Sequence, residues 1–143
     1  MTARMVAISF SSPDARRLAG VSRAVCAQWM SRSIFRLSKN DDRGRKGRGG
    51  EARISLETAL VLAAAATLVR SGFSVSSAFA LADNVRGEAG IVSQGGDIAR
   101  VRIDAGAIRQ RLKKGWVEIE VAAGRLSEAD AWLALGSSAS TQA

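Results

Sequence analysis

The sequence predicts a mainly α chain with a small α+β appendage at its C-terminal end. Three observations carry this. Two short capped helices meet at a Gly-Val-Ser turn near residue 20. A run of eleven residues, Ala59 to Val69, is apolar except for Thr67. Beyond a cluster of four glycines between 87 and 96, apolar and polar residues alternate in short stretches. Serine at a helix start, glycine at its end and period-two alternation are the physical signatures behind each assignment.

The elements follow in order. In Ser12-Pro13-Asp14, the serine hydroxyl can cap, proline fits the first helical turn, and aspartate suits the positive end of the helix dipole. This first helix should run to Ala19, with Ala15, Leu18 and Ala19 facing inward. Gly20 supplies a left-handed stop, Val21 a buried plug, and Ser22 the cap of a second helix from Arg23 to about Ser31. Val21, Val25 and Trp29 recur every four residues and are expected in the core. Arg23, Ala24, Ala27, Gln28 and Ser31 are left facing outward. Ile34, Phe35 and Leu37 on one side of a basic loop, and Arg53 with Ile54 on the other, are expected to pair as two short strands.

The third helix should span Leu56 to Ser71, capped by Ser55 and stopped by Gly72. It is apolar nearly all round, so it should be covered by the first helices, a fourth helix and a second subunit. The fourth, capped by Ser74, should run from Val75 to about Val85 and bury Val75, Phe79 and Ala82. Residues 87–97 read as a Gly-rich linker, dividing a unit over 1–86 from an appendage over 98–136. In the appendage, Ala99 to Ile103 alternates as a strand, Asp104 caps a helix carrying Ile108 and Leu112, and Trp116 to Val121 alternates as another strand. Ser127 caps a last helix over Leu126 to Leu135, and 137–143 is expected to be a disordered tail.

Charge narrows the function. The chain of 143 residues carries a net charge of +8; residues 1–53 hold 12 basic and 4 acidic side chains, and the remainder holds nine of each. All the excess positive charge therefore lies in the first third, and a polyanion is the natural partner. With no His and one Cys, a His-based catalytic triad and a His- or Cys-built zinc site are unavailable. No Gly-rich loop leads into Gly-Lys-Ser/Thr, so nucleotide hydrolysis has no support. No enzyme activity, catalytic residue, metal or cofactor is expected. Cys26 reads as a small buried side chain, and Glu118 with Glu120 as an exposed face of the strand rather than a catalytic pair. The cluster Arg109, Arg111, Lys113 and Lys114 reads as a solvated helix face.

The apolar run at Ala59 falls short of the roughly 20 residues that cross a bilayer, and Arg4, Ser9, Ser11, Ser12 and Asp14 interrupt any secretory signal. No membrane contact is expected. The location expected is cytoplasmic, at the nucleoid of a bacterium or in association with a phage.

Ser12 to Ser22, followed by Val25 and Trp29, resembles the opening of the MerR-like winged helix-turn-helix domain, which transcription regulators and phage excisionases share. Gly49-Gly50-Glu51-Ala52-Arg53-Ile54-Ser55-Leu56-Glu57 is similar to that family's wing, and Leu68 to Ser74 followed by Ala78 to its junction between third and fourth helices. Arg16 stands where that family usually has a small residue, and Ile54 where it has Tyr or Phe. The long dimerisation helix of MerR regulators has no counterpart. The resemblance implies a winged helix-turn-helix with its second helix in the major groove, where Arg23, Ala24, Ala27 and Gln28 would face base edges. Arg reads guanine, Gln adenine, and Ala contacts a thymine methyl. Arg17, Arg32, Arg45, Lys46, Arg48 and Arg53 would hold phosphates.

The expected function is sequence-specific transcriptional regulation. The expected partners are double-stranded DNA, a second copy of the chain through the region after Gly87, and RNA polymerase or another regulator. One alternative is an excisionase, packaging or architectural DNA-binding factor. Another, of a different class, is a protein-interaction or organelle-imported structural protein that never meets DNA.

Overall fold

The computed structural model describes residues 8–37, 53–83, 91–95 and 100–136. Among them the chain is mainly helical, with six helices and four short strands. Two strands, β1 (Ser9–Ser11) and β2 (Arg53–Ser55), pair antiparallel with Phe10 opposite Ile54. Helices α1 (Ser12–Ala19) and α2 (Arg23–Ser31) follow β1, and α3 (Leu56–Arg70) and α4 (Val75–Ala82) follow β2. A hairpin of β3 (Ile91–Gly95) and β4 (Arg100–Asp104) then leads into α5 (Ala105–Ala122) and α6 (Glu128–Ala134).

Local chemistry explains most boundaries. Ser22, Ser55, Ser74 and Ser127 each accept a hydrogen bond from the backbone N–H three residues on, as does Asp104 at the start of α5. Each therefore satisfies one of the orphan donors of a first helical turn. At α1 the cap is Ser11, not Ser12: its hydroxyl accepts from Asp14 N at 3.3 Å and donates to the Asp14 carboxylate at 3.0 Å. Pro13 occupies the first turn as expected. Gly20, at φ 75°, ends α1 in the left-handed conformation that a side chain would strain. Arg70, from the end of α3, donates to the Ala19 and Gly20 carbonyls, 3.4 Å in each case, and so ties that turn to the third helix.

The core is centred on α3, where every residue from Thr58 to Ala66 is buried. α1 and α4 cover two of its sides, and the cover that the sequence assigned to a second subunit comes from α5. Small residues Ala63 to Ala66 allow this close approach on several faces at once. Trp29 of α2 meets Phe79 of α4 edge to face, with ring centroids 5.4 Å apart, and Phe35 packs on the same ring at 5.6 Å. Such pairs add roughly 1 kcal/mol beyond area burial.

Several expectations change. Ile34 to Leu37 is not a strand. The Ile34 and Phe35 amides both donate to the Trp29 carbonyl, which winds the chain into a turn after α2, and β2 pairs instead with β1. A hairpin with its own two strands around the basic loop is thus not what the described residues form. Val25 is 37% exposed while Cys26 is 5% exposed. A four-residue repeat drifts about 40° per step around a helix, so the inner edge of α2 runs through Cys26 and Trp29. Val21 is half-buried rather than a plug. The helix α4 ends at Ala82, before the expected Val85, which lies outside the described residues. Of the segment read as linker, Ile91–Gly95 is strand β3. The tail over 137–143 lies outside the described residues.

The largest correction concerns Trp116 to Val121. These residues continue α5, which runs for 18 residues. Glu118 and Glu120 therefore do not share a face: Glu118 is exposed, while Glu120 is 8% exposed and pairs with Arg125 beyond the helix end. Trp116 and Trp132 are both core residues of the α5 and α6 layer.

Arg109 is not a solvated cation. Its side chain is 14% exposed and pairs with Glu57 in the first turn of α3, bracing α5 against the central helix. Arg109→Met keeps the aliphatic stem and removes the charge. Because Glu57 is 40% exposed, water screens the pair, and the expected loss in urea unfolding is about 1 kcal/mol.

Candidate nucleic-acid interface

The turn between α1 and α2 presents the second helix as a free-standing ridge. Cys26 and Trp29 anchor its inner edge, and no other residue of α2 is buried. Arg23, Ala24, Ala27, Gln28 and Ser31 are all exposed, as expected. At about 100° per residue, Ala24, Ala27 and Ser31 form the centre of the outer face, and Arg23 and Gln28 stand on its two flanks roughly 140° apart. The Ser31 hydroxyl is committed to the Gln28 carbonyl at 3.0 Å. The side chains of Arg23 and Gln28 have no hydrogen-bond or ion-pair partner among the described residues. This face therefore offers one cationic fork and one amide, separated by two methyl groups.

Around it the charge is one-sided. Residues 12–37 hold five arginines and one acid, Asp14. Asp14 lies 3.5 Å from Arg17 in an exposed pair, which leaves Arg17 most of its solvent-facing donors. Arg32 is the exposed C-cap residue of α2. Arg17, Arg23 and Arg32 thus lie on α1, at the start of α2 and at its end.

Arg53 has a different setting. Its Nε and Nη2 donate to the Ser9 hydroxyl at 3.1 and 3.0 Å, and Nη2 also donates to the Ser9 carbonyl at 3.0 Å. These bonds clamp β1 to β2, a structural duty that sequence reasoning did not assign. Arg45, Lys46 and Arg48 lie outside the described residues.

Cys26 sits on the buried side of α2, where burial pushes its thiol above the usual value and Arg16 pulls the other way to a lesser extent. A protonated, covered thiol is a packing group at neutral pH. Among the described residues no cluster of three or more Cys, Asp or Glu could hold a metal ion, and no helix is long and apolar enough to cross a membrane.

At the other end of the chain, Leu133 of α6 is 66% exposed, and Val121 of α5, also exposed, lines a cleft of about 330 Å³ between the two helices. Comparison with protein-family models, curated proteins and solved structures returned no match.

Proposed function

We propose that the chain is a sequence-specific DNA-binding transcriptional regulator that seats α2 in the major groove of duplex DNA. The observation that carries the reading is the outer face of α2: Arg23 and Gln28, exposed and without a side-chain partner among the described residues, bracket Ala24 and Ala27 on a helix whose buried residues, Cys26 and Trp29, lie on the other side. The MerR-like winged helix-turn-helix resemblance supports the same placement. A B-DNA major groove about 12 Å wide admits such a helix, with Arg aimed at guanine O6 and N7, Gln at adenine, and the alanine methyls at thymine. Arg17 and Arg32 hold phosphates and set the register of the helix in the groove. A single unit of this size makes few base contacts, so two copies on adjacent half-sites supply the specificity, joined through the region that carries Val121 and Leu133.

Affinity for duplex DNA should fall with salt at a log-log slope of about −4 to −5, as expected for roughly five neutralised phosphates. A slope of zero rejects the reading. Within that binding, Gln28→Ala should cost roughly 1 to 3 kcal/mol on the selected site and little on random duplex, whereas Arg17→Ala should weaken both alike. The two are separated by running the same titration on a selected site and on scrambled DNA. Arg53→Ala is not equivalent to Arg17→Ala, because it also releases β1 from β2.

A further inference from the structure

Behind α2, on the side away from Gln28, the chain forms an open cavity of about 470 Å³ that the DNA-binding proposal does not use. Its wall and floor come from Met30 of α2, Phe35 and Leu37 of the segment after it, and Ile54 of β2. Phe35 and Ile54 are buried, so the floor is fixed, while Met30 is half-open to solvent and can adapt to what enters. Two cations, Arg16 and Arg36, also line it, together with Ser12, Ser33 and Cys26, and no acidic residue does. The Arg16 guanidinium has no hydrogen-bond or ion-pair partner among the described residues. Arg36 donates its Nε to the Ser33 carbonyl at 3.1 Å, and its terminal nitrogens have no partner among the described residues.

This combination selects a ligand class. The size lies within the range of about 300 to 1,000 Å³ typical of small-molecule sites, and a mainly apolar lining with a few directed polar groups is their usual chemistry. A positive, acid-free lining disfavours cations. An apolar floor gives nothing to a fully hydrated polyanion, which would lose its water without compensation. A monoanion with an apolar body satisfies both parts, because a guanidinium binds a carboxylate through charge-assisted, paired hydrogen bonds.

We propose that this cavity binds a small amphipathic carboxylate, with its acid group on Arg16, Arg36 as the second cation, and its apolar body against Met30, Phe35, Leu37 and Ile54. The site joins α1, α2 and β2, so an occupant stabilises their mutual arrangement by mass action. The inference does not rest on DNA binding, and its test uses none.

Octanoate and phenylbutyrate, each beside its primary amide, are titrated calorimetrically into the full chain. The acids are expected to bind at least about tenfold more tightly than the amides and to raise Tm, since only the acids make the charge-assisted pair. Arg16→Gln should remove most of the preference for the acids, leaving only the weaker attraction of Arg36. Met30→Glu, at an exposed position, removes apolar contact for both ligands and should weaken the acids about tenfold more than the amides through like-charge repulsion. Equal binding of acid and amide by the native chain overturns the proposal. So does an acid preference that survives both substitutions.

Discussion

Ala27→Glu is expected to reduce affinity for duplex DNA at least about 100-fold, equivalent to roughly 2.7 kcal/mol, without changing the fold. Ala27 sits at the centre of the outer face of α2 and is exposed. A glutamate is tolerated there by the helix itself, since its intrinsic helix propensity is close to that of other straight-chain residues. In the groove, however, a carboxylate would face the negative edge of the duplex, and a like-charge juxtaposition costs several kcal/mol. Ala107→Glu, which adds the same charge at an exposed position in the first turn of α5, controls for the change in overall charge. It should weaken binding only slightly, through long-range repulsion that salt screens. Equal losses in the two variants would mean that charge alone, and not the face of α2, governs DNA affinity. Circular dichroism and thermal melting of both proteins complete the comparison.

The second large effect concerns the packing of α5. Gly115 is buried at the crossing of α5 with α1, and a Cβ built on it would lie 2.6 Å from Leu18 Cδ2 and 2.9 Å from Leu18 Cδ1. Leu18 thus inserts into the space that the missing side chain leaves. Gly115→Val forces the two helices apart or drives Leu18 off its rotamer, and overpacking of this kind costs about 3 kcal/mol. For a chain of this length Tm should fall by roughly 10 °C.

The mechanism is tested by removing the obstruction. Leu18→Ala alone is destabilising, because it vacates the same crossing, yet Leu18→Ala combined with Gly115→Val should be at least as stable as Gly115→Val alone. Simple addition of the two losses would show that the residues do not compete for one volume. Gly115→Ala should be nearly neutral, since a gain of about 1 kcal/mol in helix propensity offsets a small displacement of a flexible leucine.

These two sites also show what the amino-acid sequence discloses and what it conceals. The first four helices were legible because their ends carry local chemistry. Ser22, Ser55 and Ser74 cap, Gly20 stops, and each of these depends only on neighbours in the chain. The outer face of α2 followed from the same boundaries and the helical repeat. Where the inner residues are unusual, the pattern misleads. The inner face of α5 runs through Leu112, Gly115, Trp116 and Glu120. A glycine and a carboxylate at core positions break the apolar helical period, so Trp116 to Val121 reads as an alternating strand. The burial of Gly115 depends on Leu18, and that of Glu120 on Arg125, and neither relation is visible along the chain.

The strand pairing was concealed for a similar reason. Ser9–Ser11 is three residues long with one apolar side chain, too short for an alternation to register. Its stability comes from a distant partner, since Arg53 clamps Ser9 across 44 positions. In the sequence Arg53 reads as a cation beside a basic loop, and its charge conceals its part in the sheet. Likewise Arg109 reads as one of four neighbouring cations until Glu57 is found beside it. Long-range pairing of charged side chains is the part of the fold that one-dimensional patterns carry least.

The central claim, that the outer face of α2 enters the groove, is tested most directly by following backbone amide resonances during titration with a selected duplex. The account predicts the largest changes at Arg23, Ala24, Ala27 and Gln28, with smaller ones at Arg17 and Arg32 and little beyond Ala105. Changes concentrated on α5 and α6, with α2 unmoved, would contradict it.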